Sequence, residues 1–192
     1  MPATDQPPQA GPSARQRLIA ELRDHALVIG EVVLTSGRTA SYYVDAKRAI
    51  LRPAGFAALG ELVAAYAAKW EATALGGLTM GADPVACAGL AAGAQCNAFF
   101  IRKETKSHGL QRRIEGPLLD PGDRCLVVED VVTTGGSTLV AIEALREAGH
   151  VICGVVSVLD RLAGGGDAIE AAAGAPYVAL STIDDVYPER AE

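Results

Sequence analysis

Apolar residues recur along this chain with two different periods. Leu18, Leu22 and Ala26 fall at helical intervals, and Ser13 followed by Gln16 has capping-box spacing, so a helix is expected over about 14–28. Two short strand-like pieces follow, Glu31–Thr35 and Ser41–Asp45, joined by the turn-forming Ser36-Gly37-Arg38. Pro53 suits the first turn of a second helix whose buried face carries Phe56, Leu59, Val63 and Tyr66. From residue 73 the pattern changes to short apolar runs alternating with helical stretches. Strands are expected at Thr73–Leu78, Cys96–Ile101, Cys125–Asp130, Val151–Leu159 and Tyr177–Ser181. An Ala-rich helix follows the first of them, and another, closing at Gly149, follows Thr133–Ser137. Strands apolar on both faces and alternating with helices predict a mostly parallel, doubly wound α/β sheet.

Composition narrows the function classes. The 192 residues are enough for one domain with a substantial core, and residues 1–12, rich in proline, read as a flexible tail before a domain over 13–192. A formal net charge of −6 argues against general nucleic-acid or anionic-membrane binding. Cys87, Cys96, Cys125 and Cys153 are widely spaced with no CxxC, a poor match to a zinc site or a disulfide framework. Neither a signal-peptide pattern nor a long apolar span is present, so a cytoplasmic protein is expected.

The chemistry concentrates in Cys125-Leu-Val-Val-Glu129-Asp130-Val131-Val132-Thr133-Thr134-Gly135-Gly136-Ser137. An apolar strand ends in two carboxylates, and a small-residue loop then opens a helix. Such a loop offers backbone N–H groups, hydroxyls and the positive end of the helix dipole to a phosphate. The adjacent acids suit sugar hydroxyls or a hydrated divalent cation. Glycine-rich turns alone are usually mere junctions, but this order is much narrower. It is neither a Walker A loop nor a GxGxxG fingerprint. A second signal is Arg102-Lys103-Glu104-Thr105-Lys106-Ser107-His108-Gly109. With Arg112 and Arg113, it concentrates five cations in twelve residues of an acidic chain. A charge run is most often a solvated loop; this one leaves a strand end on the side where a phosphate site is expected, with Gly109 and Gly116 to let it move.

The 125–137 segment resembles the phosphoribosyl-pyrophosphate (PRPP) signature of type I phosphoribosyltransferases, and the 102–109 octet resembles the catalytic loop of orotate phosphoribosyltransferases. Two further stretches agree with that family. Leu34–Arg38 with Ser41-Tyr42-Tyr43-Val44-Asp45 is similar to its N-terminal hood over the base, and Leu159-Asp160-Arg161 to the strand end whose arginine grips the orotate carboxylate. The resemblance spans about residues 15–187. It implies a type I phosphoribosyltransferase fold and the reaction of orotate with PRPP to give orotidine 5-phosphate and pyrophosphate, in pyrimidine (UMP) synthesis. It implies that Glu129 and Asp130 bind the ribose hydroxyls, with Asp130 among the catalytic residues, that Val131 and Val132 contact PRPP, and that Thr133, Thr134, Gly135, Gly136 and Ser137 wrap the 5-phosphate. Arg102, Lys103, Lys106 and His108 would contact pyrophosphate, Lys106 and His108 catalytically, and Thr133, Arg161 and Tyr43 would contact orotate. Mg²⁺ is expected, held mainly through the substrate rather than by a protein metal site, as is a homodimer whose loop acts across the interface.

The sequence departs from the family in two places. Thr35 stands where many members have lysine, and the loop 77–84 contains no lysine; Lys47 or Arg48 is a candidate replacement. Rival readings are a PRPP-sensing regulator on the same fold and a transferase for another nucleobase. The absence of an added DNA-binding module disfavours the first, and Arg161 disfavours the second.

Overall fold

A computed structural model describes residues 12–33, 39–103 and 113–190. Helix α1 (Ala14–His25) opens with the expected capping box: Ser13 Oγ accepts from the Gln16 N–H at 3.2 Å, and Gln16 Oε1 accepts from the Ser13 N–H at 2.7 Å. It ends three residues earlier than its periodicity suggested, because Leu27, Val28 and Ile29 are taken into strand β1 (Leu27–Val33). β1 pairs antiparallel with β2 (Thr39–Val44), so both strands of this hood lie earlier than expected. The turn proposed at residues 36–38 and the tail at 1–11 lie outside the described residues.

A short helix that the sequence did not suggest, α2 (Lys47–Ile50), links the hood to α3 (Pro53–Lys69), where Pro53 takes the first turn. Leu59 and Val63 are fully buried, each burial worth about 1.5–3 kcal/mol; Phe56 and Tyr66 pack at the margin of the same core. Gly60 lets α3 approach α4 (Ala82–Ala91) closely, since a Cβ there would lie 2.5 Å from the Ala88 carbonyl oxygen.

The main sheet contains β3 (Ala74–Leu78), β4 (Asn97–Ile101), β5 (Ile114–Glu115), β6 (Arg124–Val132), β7 (Val151–Asp160) and β8 (Tyr177–Thr182). Its order is β5-β4-β3-β6-β7-β8, parallel except for the β4–β5 pair. The remaining helices are α5 (Gly136–Glu147), α6 (Gly165–Ala173) and α7 (Ile183–Val186). Of the strands, β5 was not anticipated; neither were α6 and α7.

Alternation along β6 explains the two-faced core. Leu126 and Val128 join the cluster under α1, α3 and α4, whereas Cys125 and Val127 join the cluster under α5 and α6. α1 is clamped to the far end of the chain: Arg15 pairs with Asp185 at 2.7 Å, and Arg23 Nε donates to the Asp185 carbonyl at 2.6 Å. The chain order reverses between β3, whose crossover leads outward to β4, and β6, which leads the other way to β7. In open α/β sheets, a crevice for ligands forms beyond the strand ends at such a point.

Candidate active site at the strand ends

β6 runs two residues beyond its expected end, because Val131 and Val132 pair with Leu159 and Asp160 of β7. Glu129 and Asp130 therefore sit within the strand, and both are buried. On the other side β3 pairs with β6 only as far as Gly76–Val127, which leaves the last turn of β6 open toward the crevice. The acids diverge to opposite faces. Glu129 Oε2 accepts from Thr138 Oγ1 of α5 at 3.3 Å, while Asp130 Oδ2 accepts from Lys47 Nζ of α2 at 2.8 Å.

Their electrostatics differ accordingly. Burial, then the charge and hydrogen bonding of Asp130, push the Glu129 carboxyl up to about 8, against the smaller opposing effect of the Asp130 N–H and the Thr138 hydroxyl. For Lys47, burial works to lower the pKa, but the hydrogen bond and charge of Asp130, together with Asp45 at 3.4 Å, hold it above the ordinary lysine value. Glu129 thus favours its protonated form more than a free glutamate does, and Lys47 its charged form.

Downstream, Thr133, Thr134, Gly136 and Ser137 are exposed around a polar hollow of about 250 Å³ that also touches Glu129 and Val131. Gly135 caps α5 in the left-handed region at φ +81°, which glycine adopts without strain, and no side chain caps the helix. The first-turn N–H groups are therefore directed at the hollow without a side-chain acceptor, the arrangement a phosphate requires. Gly81, in the turn after β3, passes so close to the acids that a Cβ there would lie 2.4 Å from Asp130 Oδ1 and 2.8 Å from Glu129 Oε1.

The same turn reaches the base of the cationic loop, since the Thr79 N–H donates to the Ile101 carbonyl at 2.8 Å. Arg102 and Arg113 face each other across that base: the Arg102 N–H donates to the Arg113 carbonyl at 2.9 Å. Arg102 and Lys103 line a hollow of about 460 Å³ with Thr79, Phe100 and Glu115. Lys106 and His108 lie outside the described residues.

Arg161, at the end of β7, is tied to β6 by its N–H donating to the Val132 carbonyl at 2.9 Å. Its guanidinium stacks on Tyr42 of the hood, 5.1 Å from the ring centre, and Tyr187 meets the same ring edge-on. Arg161 Nε is buried with no acceptor among the described residues. Tyr42, rather than Tyr43, is the ring beside Arg161; Tyr43 is more than a third exposed. Alternation along β2 separates these neighbours.

Beneath Arg161, Asp160 accepts from the Leu162 N–H at 2.7 Å and from the Tyr177 hydroxyl at 2.8 Å, and that hydroxyl also meets Ser157 at 2.7 Å. Burial raises the Tyr177 pKa above the ordinary phenol value, and Asp160 adds to the effect despite the opposing Ser157 bond. Sequence reading missed this supporting network. Asp160 in Leu159-Asp160-Arg161 was the visible clue to it.

Carboxylate oxygens such as those at the end of β6 are donors that a hard cation such as Mg²⁺ accepts. Glu129 borders the hollow with Asp130 next to it in the strand, and among the described residues no group of three or more metal-binding side chains exists. Nor is any described helix long and apolar enough to cross a membrane.

Comparison with known proteins adds to this geometry. No family model matches the chain. The orotate phosphoribosyltransferase of Corynebacterium glutamicum (strain R) is 49% identical over 174 residues, covering 90% of this chain and 94% of its own. The crystal structure of Mycobacterium tuberculosis orotate phosphoribosyltransferase with Fe(III) dicitrate superposes with a TM-score of 0.81 at 43% identity, covering 91% of this chain and 99% of that one. The same enzyme in complex with 5-phospho-α-D-ribosyl 1-diphosphate gives a TM-score of 0.76 at 38% identity, with 90% and 98% covered.

Proposed function

The chain belongs to the orotate phosphoribosyltransferases, and we propose that Glu129, Asp130 and residues 133–137 hold the phosphoribosyl group it transfers. It is a pentosyltransferase: orotate and PRPP give orotidine 5-phosphate and pyrophosphate, in pyrimidine synthesis. One observation carries the site assignment. The buried acids of β6 and the open N-terminus of α5 lie beside an arginine just past β7 whose N–H bonds to Val132 and whose Nε has no partner among the described residues.

The 5-phosphate lies at the α5 N-terminus against Thr133, Thr134, Gly135, Gly136 and Ser137, with Val131 and Val132 forming the strand beneath. Asp130 accepts from the ribose hydroxyls beside Glu129. Arg161 takes the orotate carboxylate in a planar pair, its guanidinium held flat by Tyr42. Thr133 borders the base, and Tyr43 reaches it only from the exposed face of the hood.

Bond breaking at the anomeric carbon builds positive charge on the ribose and negative charge on the leaving pyrophosphate. Catalysis rests on holding both. Arg102, Lys103, Lys106 and His108 supply cations to the pyrophosphate, with the loop of one protomer of a cytoplasmic homodimer serving its partner. Glu129 and Asp130 would lie beside a Mg²⁺ that enters with PRPP and offsets pyrophosphate charge.

A panel of bases with PRPP and Mg²⁺, followed by pyrophosphate release, tests the reaction. Orotate alone is expected to turn over, and turnover of uracil or adenine in its place would overturn the base assignment. Arg161→Ala should raise the orotate KM about 10- to 100-fold, the worth of a charge-assisted pair, while the PRPP KM moves little. Equal losses for both substrates would mean that Arg161 is only structural. Mixing Lys106→Ala and Asp130→Asn dimers after dissociation should restore about a quarter of wild-type activity if the loop acts across the interface. No recovery despite verified exchange would place the loop over its own site.

A further inference from the structure

We propose that Lys47 is an additional substrate-binding residue, supplying to the pyrophosphate the positive charge that the 77–84 loop lacks. The inference rests on the reading above and extends it to a residue outside both motifs. Lys47 stands on α2, distant in sequence from the acids and the cationic loop, yet its ammonium is 2.8 Å from Asp130 Oδ2. Asp45 at 3.4 Å braces it from behind. It remains 37% exposed, so it is open to the crevice as well as paired.

The shape of the sugar donor decides what such a cation meets. In 5-phospho-α-D-ribosyl 1-diphosphate, the pyrophosphate at C1 projects from the same ring face as the 2- and 3-hydroxyls. A carboxylate that accepts from those hydroxyls therefore has the pyrophosphate beside it, and so does an ammonium in contact with that carboxylate.

The surrounding backbone points the same way. Gly81 passes against Asp130, and Thr79 in the same turn bonds to the strand end that leads to Arg102 and Lys103. Residues 77–84, Gly77-Leu78-Thr79-Met80-Gly81-Ala82-Asp83-Pro84, contain no cation, and the one acid among them, Asp83, adds negative charge. Among the described residues, Lys47 is the cation in contact with Asp130. Two carboxylates hold its ammonium charged and oriented before substrate arrives, so little side-chain freedom is lost on binding.

The test compares ligands with and without the pyrophosphate group. Affinities for Mg²⁺-pyrophosphate and for ribose 5-phosphate are measured calorimetrically on wild type, Lys47→Ala and Lys47→Arg, with thermal melts to verify folding. Lys47→Ala should weaken pyrophosphate at least about tenfold, Lys47→Arg should restore most of it, and ribose 5-phosphate should change less than about threefold. If ribose 5-phosphate falls as far as pyrophosphate, Lys47 acts only by balancing Asp130 and the proposal fails. It also fails if neither ligand is affected. Formation of orotidine 5-phosphate by the wild type is scored separately, so failure here is distinguishable from failure of the parent reading.

Discussion

Two adjacent junctions in this sheet are built alike and do different work. β6 passes through Glu129-Asp130 to a left-handed glycine, Gly135 at φ +81°, and an uncapped helix α5. β7 passes through Asp160-Arg161 to a left-handed glycine, Gly164 at φ +83°, and an uncapped helix α6. At the first, the helix start is open: a Cβ on Gly136 would meet nothing within 4 Å. At the second it is filled, because a Cβ on Gly165 would lie 2.6 Å from the Thr133 carbonyl oxygen and 2.8 Å from the Gly135 nitrogen. The acids follow suit. Asp130 meets the partly exposed ammonium of Lys47 and the Val131 N–H, whereas Asp160 accepts from the Tyr177 hydroxyl and the Leu162 N–H. A strand, a glycine and a helix terminus do not by themselves make an anion site; space and uncommitted partners do. The second junction buttresses the first and presents Arg161.

Substituting the two acids is the strongest way to break this contrast. Asp130→Asn should cut activity by about 10²–10³-fold, the loss typical of a group that stabilises transition-state charge, without unfolding the protein. Asp160→Ala should instead cost about 1–3 kcal/mol of stability, from the loss of two part-buried hydrogen bonds to its carboxylate, and leave the PRPP KM nearly unchanged. Steady-state kinetics and urea midpoints decide it. Comparable losses of PRPP binding in both variants would erase the distinction.

The glycines sharpen it in stability alone. Gly165→Ala forces a methyl against backbone atoms and should cost about 1–3 kcal/mol. Gly136→Ala, in open space at a helix start, should be neutral or gain up to about 1 kcal/mol from helix propensity. Equal midpoints for the two variants would show that the α6 terminus is not packed as described.

A further way to separate the acids is a pH dependence. Burial raises the folded pKa of Glu129 from its ordinary value of 4.5 to about 8, so it favours the folded state most at low pH. That contribution is full below about 4.5 and is lost as pH rises through about 8. Relative to Glu129→Gln, the wild type should therefore lose stability across this window. Parallel curves for the two proteins would mean that Glu129 is ionised normally.

Features set by neighbours in the chain were legible in the sequence. The Ser13–Gln16 box, Pro53 at the start of α3, and the run from Cys125 to Ser137 each express a local rule of capping, ring geometry or period, and local rules leave local traces. The family reading rested on such runs. Features set by distant pairing were not legible. The extension of β6 through Val132 depends on partners in β7 almost thirty residues away. The choice of Tyr42 over Tyr43 beside Arg161 depends on the register of the hood, and a one-residue shift would reverse it.

Lys47 shows where that boundary falls. The sequence by itself determined that cations were missing from residues 77–84, that a nearby lysine was available, and that Glu129 and Asp130 follow an apolar run and precede a small-residue loop. Only the tertiary structure decided that α2 brings Lys47 rather than Arg48 to Asp130, 83 residues along the chain. The reason is physical. Backbone propensity and apolar period act over a few residues, whereas an ion pair between remote segments exists only after the core beneath α1, α3 and β6 has fixed where both ends stand.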